Sequence, residues 1–428
     1  MAERGELLGA TLELEIGGPA HGGSCVARHD GRAVFVRHAL PGETVRALVT
    51  EDRGGSFCFA DAVEILTPSP ERVGPPCPYA GPGRCGGCDW QHASGPAQRE
   101  LKAAVIRDQF RRLANTDVSE LLHEVEELPG GLLGWRTRNL YAVDRTGRPG
   151  LRVHRSHDVV HVEKCLLGVD GVGDAAALHD AWPRLNGIEV AGGSDGAITL
   201  LAHRPGPGRQ PRGRRPPDRI EVRSGPATLR RHAVGRDFEV AADGFWQVHP
   251  AALDAFSAAL LEAVRPRNGE TVLDLYAGAG ALTAVLAEAV GPTGTVVGVE
   301  SSARAVADAQ ANLADLAQAE VRQARVSAGQ LAGLDVAPDV VVLDPPRAGA
   351  GRDVMTAVLG MRPRAIAYVA CDPAALARDV ATALAAGWRL GSLRAFDAFP
   401  MTHHVECVAL LEPLRADGVQ SASATRRT

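Results

Sequence analysis

The sequence predicts an α/β protein whose C-terminal half is a doubly wound parallel sheet, preceded by an OB-like β-barrel and a central mixed α/β region. Between residues 236 and 415, apolar runs such as "TVLDLYAG", "DVVVLDPPR" and "AIAYVACDP" alternate with Ala- and Leu-rich helical stretches, which is typical of parallel strands joined by helices. Residues 1–67 instead alternate apolar and polar side chains in short runs separated by Gly and Pro, which indicates closely spaced strands. Ligands of a parallel sheet bind at the carboxyl ends of its strands, so we expect the functional site in the C-terminal half.

Length and composition exclude several classes of protein. The chain has 428 residues, is 45% hydrophobic and carries a formal net charge of −5. This length suits two or three domains, and the negative charge argues against a uniformly basic surface while leaving room for a local basic face. No basic N-terminal segment leads into an apolar run, and no stretch approaches the roughly 20 apolar residues that cross a bilayer. We therefore expect a cytoplasmic protein without a membrane partner.

The eight cysteines are then unsuited to a disulfide framework. Thiols stay reduced in the cytosol, so metal ligation, catalysis or burial explains them better. Three of them lie in the Pro- and Gly-rich loop "CPYAGPGRCGGC" at residues 77–88, within a central region that we place at residues 68–235.

Two further segments have a biased composition. Residues 203–219, "HRPGPGRQPRGRRPPDR", contain six arginines and one aspartate among prolines and glycines, which forbids regular structure. This loop either contacts nucleic acid or is a solvated surface insertion. Residues 416–428 are expected to form a disordered tail.

A cofactor site is predicted where the first strand of the C-terminal half ends. In "VLDLYAGAGALT", Asp274, Gly278 and Gly280 mark a turn between a strand and a helix, and glycines allow the backbone to approach a ligand closely. The next strand ends in Glu300, where a carboxylate can hold two ribose hydroxyls. A dinucleotide would need a third glycine and a longer phosphate cradle, so the short turn favours S-adenosylmethionine.

The ends of two later strands carry acidic and nucleophilic residues. Asp344 in "VVVLDPPRAG" is followed by two prolines that fix the backbone, so its carboxylate is expected beside the same pocket; the alternative is a turn that merely closes the strand. Cys371 in "AIAYVACDP" precedes a helix, where a thiol can have a lowered pKa and act as a nucleophile. The alternative for Cys371 is a small buried hydrophobic residue.

Glu406 lies within the apolar strand of "HHVECVALLE". An ionised carboxylate in such a strand is costly without a partner. Desolvation that raises its pKa would make it a general base, whereas the alternative is a carboxylate that points to solvent.

These motifs together resemble a known family. "FWQVHP", "LDLYAGAG", "VVGVE", "VVLDPPRAG", "ACDPAALARD" and "HHVECVALLE" occur in the order seen in the bacterial RNA uracil-5-methyltransferases that make 5-methyluridine in ribosomal or transfer RNA. The N-terminal strands with "FVRHALPGETV" look like the TRAM domain that many members carry. The resemblance implies a Rossmann-like class I methyltransferase domain and RNA as the partner. Separately, no obligate protein partner is evident from the sequence, and we expect a monomer.

The resemblance also assigns roles to individual residues. Cys371 matches the nucleophile that forms a covalent adduct with uracil, and Glu406 matches the proton acceptor. Ala281 stands where the family often has an asparagine, which removes one cofactor hydrogen bond. The positions that match S-adenosylmethionine-binding residues are Gln247, Tyr276, Glu300 and Asp344.

The cysteine loop matches the family as well. Four cysteines match those that hold a [4Fe-4S] cluster in many members: Cys77, Cys85, Cys88 and Cys165. Four thiolates are the usual ligands of such a cluster, although the spacing after Cys77 is longer than in the family. Zinc bound by four cysteines is the physical alternative.

Two other functions remain compatible with these patterns. An iron–sulfur RNA-binding protein would use the methyltransferase domain only as a scaffold, but the presence of both Cys371 and Glu406 argues against it. A small-molecule methyltransferase would need neither the barrel nor the arginine-rich loop. An assay for methyl transfer into RNA distinguishes an RNA methyltransferase from these two alternatives.

Overall fold

A computed structural model describes residues 5–207 and 216–414. The expected tail at residues 416–428 and the middle of the arginine-rich loop lie outside the described residues. The chain divides into two compact units. The first unit comprises Met1–Ile106, Glu124–Leu253 and Phe396–Val405, and the second comprises Arg107–His123, Asp254–Ala395 and Glu406–Thr428.

The first unit begins with a sheet of six strands in the order β1-β5-β6-β4-β3-β2. Their bounds are β1 (Thr11–Glu15), β2 (Pro19–Ala20), β3 (Ser24–His29), β4 (Arg32–Arg37), β5 (Thr44–Asp52) and β6 (Phe57–Thr67). In β1, the sequence "TLELE" alternates exposed and buried side chains, as its period of two requires. Backbone hydrogen bonds from Gly17 N to Val26 O (2.8 Å) and from Val26 N to Gly18 O (2.9 Å) link the segment after β1 to β3. The predicted strand-rich N-terminus is confirmed.

The rest of the first unit contains a second six-stranded sheet and a two-stranded hairpin. The chain reaches them through α1 (Gly95–Leu113) and the short strand β7 (Val125–Glu127). The strands are β8 (Arg138–Val143), β9 (Pro149–Arg152), β10 (Val159–Val160), β11 (Gly187–Gly192), β12 (Ile198–Arg204), β13 (Arg219–Ser224), β14 (Thr228–Ala233) and β15 (Arg236–Ala241), and the order in the sheet is β10-β9-β8-β11-β12-β13. A hydrophobic core that includes Trp135, Tyr141 and Cys165 packs against this sheet.

The second unit contains the predicted doubly wound sheet. Its strands are β16 (Thr271–Leu275), β17 (Thr295–Glu300), β18 (Ala319–Gln323), β19 (Val340–Leu343), β20 (Ala365–Ala370), β21 (Trp388–Asp397) and β22 (Glu406–Pro413). They are joined by the helices α2 (Ala252–Val264), α3 (Ala281–Val290), α4 (Ala303–Asn312), α5 (Ala328–Ala332), α6 (Arg352–Gly360) and α7 (Pro373–Ala385).

The strand order β18-β17-β16-β19-β20-β22-β21 decides where a ligand can bind. The strands from β18 to β20 pair in parallel, and β22 pairs antiparallel with β20. The order reverses direction between β16 and β19, and such a switch point leaves a crevice at the carboxyl ends of the two strands. All four residues of β19, "VVVL", are buried, which is typical of a strand covered on both faces.

Among the described residues, no helix has the length and apolar character needed to span a bilayer.

A buried ion pair lies within the first unit. The side chains of Lys102 and Asp397 are 0% and 1% exposed, and Lys102 Nζ lies 2.5 Å from Asp397 Oδ1. Lys102 also donates to the carbonyl oxygen of Phe399 at 3.1 Å. Burial lowers the pKa of Lys102, and Asp397 opposes this shift. The pair therefore fixes α1 to the end of β21, and the bond to Phe399 fixes it to the residues that follow.

Removal of one member of this pair should destabilise the fold. Lys102→Met leaves the Asp397 carboxylate buried without its cation, and we expect the free energy of unfolding in urea to fall by about 3–5 kcal/mol. Lys102→Met combined with Asp397→Leu should recover most of that loss, because neither charge is then buried alone.

An exposed pair provides the control. Arg46 and Glu64 lie 2.7 Å apart with side chains that are 49% and 54% exposed, so Arg46→Ala should cost less than about 1 kcal/mol. A Lys102→Met variant as stable as the wild type would show that the buried pair does not hold this segment.

Candidate active site

The turn after β16 has a positive φ at three alternate residues. Tyr276, Gly278 and Gly280 have φ values of 67°, 55° and 87°, in the left-handed region that non-glycine residues rarely adopt. A Cβ on Gly278 would meet no atom within 4 Å, whereas one on Gly280 would lie 3.1 Å from the Leu313 side chain. The turn thus opens toward free space at Gly278 and packs tightly at Gly280, where α3 begins.

Glu300, the last residue of β17, is fixed beside this turn. Its carboxylate accepts hydrogen bonds from Gly278 N at 3.2 Å and from Ser302 N at 2.7 Å. The hydroxyl of Ser301 donates a third bond at 3.1 Å. These bonds orient the carboxylate at the edge of the sheet, as expected of a group that holds ribose hydroxyls.

Asp274 lies in β16 and is 1% exposed. The Thr283 hydroxyl donates to its Oδ2 at 2.5 Å, while its Oδ1 has no hydrogen-bond partner. Burial, with the nearby Glu300 carboxylate, raises the pKa of Asp274 to about 7, against the opposing effect of the Thr283 bond. An unpaired buried carboxylate oxygen is costly, so this atom fits a site that is completed by a ligand.

Asp344 follows β19 and lies on the other side of the switch point. Burial, with Asp274 nearby, raises the pKa of Asp344 to about 7. The backbone after it is held by Asp379, whose carboxylate accepts from Ala350 N at 2.8 Å and from the Tyr368 hydroxyl at 2.6 Å.

Cys371 and Glu406 face each other across two antiparallel strands. Ala370 of β20 pairs with Cys407 of β22, so continuation of the register places Cys371 opposite Glu406. The Asp372 side chain accepts from Ala375 N at 2.7 Å and caps α7, where Pro373 occupies the first turn. Cys371 therefore lies between the end of β20 at Ala370 and the capped start of α7.

The expectation of a lowered thiol pKa at Cys371 is wrong. Burial and the neighbouring Glu406 raise the pKa of Cys371 to about 12, and Arg347 opposes this shift. Burial also raises the pKa of Glu406 well above its usual value, with Asp344 adding to the shift and Arg347 again opposing it. Glu406 is 4% exposed and its Oε2 has no hydrogen-bond partner, so the reading of a solvent-facing carboxylate is also wrong.

These residues form one electrostatically linked series at the carboxyl edge of the sheet. Glu300 raises the pKa of Asp274, Asp274 raises that of Asp344, and Asp344 raises that of Glu406. A cation would relieve this repulsion. S-adenosylmethionine carries a positive charge and ribose hydroxyls that donate hydrogen bonds, so the carboxyl groups present, which accept hydrogen bonds, fit that cofactor.

Gln247 belongs to the first unit. It is 9% exposed and follows Trp246, whose ring centroid lies 5.4 Å from that of Phe238. Its assignment to the cofactor stays a prediction. Ala281, which stands where the family often has an asparagine, is the first residue of α3 and is buried.

Some functional residues were not found from the sequence. Three such residues lie in or near the motifs given above: Arg347, Asp379 and Thr283. The sequence alone does not show that Arg347 lowers the pKa of both Cys371 and Glu406. Thr283 could have been found from its position, because it lies nine residues after Asp274 in the first turn of α3, which follows the glycine turn.

The four cysteines of the predicted cluster lie in the first unit. Cys85 interacts electrostatically with Cys165 and Cys77, and Cys88 with Cys165 and Cys85. Within residues 5–207 and 216–414, however, no group of three or more His, Cys, Asp or Glu side chains is arranged to hold a metal ion. The structure therefore does not support zinc, and the [4Fe-4S] cluster is not shown.

Asp89, next to Cys88, anchors a segment from elsewhere in the chain. Its carboxylate accepts from His403 N at 3.0 Å, contacts His403 Nδ1 at 2.6 Å and accepts from Arg37 at 3.3 Å. His403 and Arg37 keep the pKa of Asp89 low, at about 2, despite its burial. The cysteine loop thus holds the segment that continues directly into β22.

Two family models match the chain. The model described as tRNA (Uracil-5-)-methyltransferase matches residues 238–414, and the TRAM domain model matches residues 6–63. These matches agree with the families that the sequence motifs resemble.

Relatives match along almost the whole length. A protein of Streptomyces avermitilis named as an uncharacterized RNA methyltransferase is 46% identical, covering 95% of this chain and 99% of the relative. A protein of Streptomyces coelicolor with the same description is 45% identical, covering 96% of this chain and 95% of the relative.

A solved structure matches the fold. The Pyrococcus abyssi tRNA (uracil-54, C5)-methyltransferase, in complex with S-adenosyl-L-homocysteine, superposes with a TM-score of 0.68 and covers 94% of this chain and 100% of its own. At 21% identity, this likeness shows the fold alone.

Asp274→Asn should change the pH dependence of stability. The folded chain keeps this carboxyl protonated up to about pH 7, whereas an unfolded chain releases the proton near pH 4. Between these values the folded state binds more protons, so the contribution of Asp274 to stability is full below about pH 4 and is lost as the pH rises through about 7. We expect the variant to be about 1–2 kcal/mol more stable than the wild type at about pH 8 and similar to it at about pH 4, in urea unfolding.

Asp335→Asn, at an exposed position, is the matched control and should leave the wild-type pH profile unchanged. Equal pH profiles for Asp274→Asn and the wild type would contradict a protonated Asp274.

Proposed function

This chain belongs to the uracil-5 family of S-adenosylmethionine-dependent RNA methyltransferases, and from that premise we propose that it methylates carbon 5 of a uridine in ribosomal or transfer RNA. The observation that carries this proposal is that Cys371 and Glu406 lie one position beyond the last register pair of β20 and β22, Ala370 with Cys407, and that both interact electrostatically with Asp344. A nucleophile and a base on the same edge as the predicted cofactor residues are what this reaction needs.

Cys371 supplies the nucleophile. Carbon 5 of uracil is weakly nucleophilic, and addition of the Cys371 sulfur to carbon 6 forms a C–S bond while the electron pair of the 5,6 double bond moves toward carbon 5 and the carbonyl. Because burial raises the pKa of the thiol, the addition requires loss of the thiol proton. This proton passes to solvent, since the Cys371 side chain is only partly buried. Arg347 lowers the pKa of Cys371 and so favours the thiolate.

Glu406 supplies the base. After carbon 5 has gained its methyl group, Glu406 accepts the proton that remains on that carbon, the double bond re-forms and the Cys371 sulfur leaves. A carboxylate whose pKa is raised by burial is a stronger base than one in water. The same burial excludes water from the proton transfer.

The proposed cofactor residues would bind S-adenosylmethionine and orient its methyl group. S-adenosylmethionine supplies the methyl group as an electrophile bonded to a positively charged sulfur. Glu300 would hold the ribose hydroxyls, Asp344 and Tyr276 would line the pocket, and Gln247 is proposed as a further contact. The linked carboxyl groups of this edge favour binding of a cation.

The RNA must present its target uridine outside a helix. Cys371 is partly buried at a strand end, so a uridine stacked in a duplex does not reach it. We propose that the target is unstacked or flipped into the site, as in a loop or bulge, and that the TRAM domain supplies a second RNA contact.

We also propose that Cys77, Cys85, Cys88 and Cys165 hold a [4Fe-4S] cluster. The support is the match of these four positions to the family's cluster ligands and the packing of Cys88 against the hydrophobic core that contains Cys165. Each cysteine of such a cluster binds a different iron, so the thiols converge less closely than the ligands of a single ion. The cluster would stabilise the loop that carries Asp89 rather than take part in methyl transfer.

The two catalytic residues should fail in different ways when replaced. Cys371→Ala should bind S-adenosylmethionine and RNA but form neither product nor adduct, because the C–S bond cannot form. Glu406→Gln keeps the sulfur but removes the base, so a protein–RNA adduct that carries the methyl group should accumulate. A denaturing gel with labelled cofactor and unmodified RNA distinguishes the two.

Cys407→Ala is the matched control, because Cys407 neighbours Glu406 but is buried, and it should form product. Methylation by Cys371→Ala would rule out Cys371 as the nucleophile.

Iron content tests the cluster. Protein purified without oxygen should contain iron and acid-labile sulfide, and Cys165→Ser should lose both and unfold at a lower temperature, because one of four bonds between distant segments is missing. Cys371→Ala should keep the wild-type iron content. Stoichiometric zinc without iron, or neither metal, would refute the cluster.

A further inference from the structure

Three phenylalanines form a contiguous cluster on the outer face of the N-terminal sheet. The ring centroids of Phe35, Phe57 and Phe59 lie 5.4–5.8 Å from one another. Phe57 is 48% exposed. We name these three side chains the aromatic face.

The strand register explains why the three rings meet. In the parallel pair β4–β6, Phe35 lies opposite Phe59 and Ala33 lies opposite Phe57. The alternate residues Val34, Val36, Cys58 and Ala60 point inward and are 0–1% exposed. Small side chains therefore fill the core, while the largest side chains of these strands lie on the solvent side. Stability of the core would favour the opposite arrangement, with the phenylalanines buried and the small side chains exposed.

Arginines surround the aromatic face. The Arg155 guanidinium lies over the Phe59 ring, 4.1 Å from its centroid, in a cation–π contact. Arg155 has a φ of 53° and a 55% exposed side chain, and it also lies 3.6 Å from Glu51. Arg28 is exposed on β3, opposite Ala33 and thus in the same row of the sheet as Phe57. A left-handed backbone at Arg155 costs energy that the cation over the ring offsets.

We propose that the aromatic face binds an unpaired nucleotide of the RNA, with the base stacked on Phe57 and the phosphates near Arg28 and Arg155. This inference rests on the proposed function and identifies where the TRAM domain meets its RNA. Exposed aromatic rings combined with cations are the features of surfaces that bind single-stranded nucleic acid. Every base has a face that stacks, so the site selects unpaired over paired nucleotides rather than one base over another.

The same observations disfavour a protein partner. A stable protein interface buries more than about 1,000 Å² in total, and the aromatic face presents a single half-exposed ring bordered by charged side chains. That size and charge suit one or two nucleotides.

The test compares RNA binding by variants in the full-length protein. Phe57→Ala removes the exposed ring and should weaken binding of a short single-stranded oligouridylate about tenfold in a fluorescence anisotropy titration. Binding of the same strand annealed to oligoadenylate should change little, because a paired base cannot stack on the face. Phe57→Trp, which restores an aromatic surface, should bind at least as tightly as the wild type.

Val63→Ala is the matched control, because Val63 lies on the same strand β6, is 51% exposed and lies outside the aromatic face. It should bind both RNAs as the wild type does. The unfolding midpoint of each variant shows whether the fold is kept, and Phe57→Trp keeps the test valid if the alanine variant is unstable.

RNA binding is measured without methyl transfer, so the effect of Phe57→Ala on affinity can be established whether or not the protein methylates uridine. A protein that methylates no uridine but shows the Phe57 effect would refute the activity and keep this site. Unchanged RNA affinity in Phe57→Ala would overturn the proposal and leave the face to a protein partner. Equal loss of single-stranded and duplex binding would also overturn it, because the face would then act through phosphates alone.

Discussion

Burial of several carboxyl groups at one edge of a parallel sheet is the constraint on which the candidate active site depends. Asp274, Asp344 and Glu406 all have raised pKa values because the surrounding strands remove water and because each lies near another carboxyl. Such an arrangement costs stability in the folded chain. The fold tolerates this cost at the strand ends of the switch point, where a cationic ligand can offset it.

The same constraint shifts the pKa values of the proposed nucleophile and the proposed base. Cys371 lies beside Glu406, and burial raises the pKa of both, while Arg347 acts in the opposite direction on each. A cation placed against these groups lowers both pKa values at once. Under the proposed mechanism, thiolate formation at Cys371 and proton acceptance at Glu406 would both be favoured by a cationic ligand in this pocket.

The sequence predicted the elements of this site better than its electrostatics. Local hydrophobic runs predict that strands end at or just before Glu300, Asp344 and Cys371. The order of the motifs also indicates the strand that carries Glu406, opposite Cys371. The pKa of Cys371 could not be predicted, because it depends on Glu406, which is 35 positions away in the sequence, and on burial by strands that only the folded chain brings together. The Lys102–Asp397 pair, separated by 295 positions, has no local sequence signal at all. The aromatic face was missed for the same reason, because "RAVFVR" and "FCFAD" show alternation but not that β4 and β6 pair in parallel.

The most direct test of this account is to give the wild-type protein S-adenosylmethionine and an RNA in which uridine is replaced by 5-fluorouridine, then to map any adduct by peptide mass spectrometry. Fluorine at carbon 5 cannot be removed as a proton, so Glu406 cannot complete the reaction and the Cys371 sulfur cannot leave. The account predicts a stable adduct in which a peptide containing Cys371 is bonded to a methylated 5-fluorouridine. Methylation of the RNA without such an adduct, or an adduct on any other residue, would contradict it.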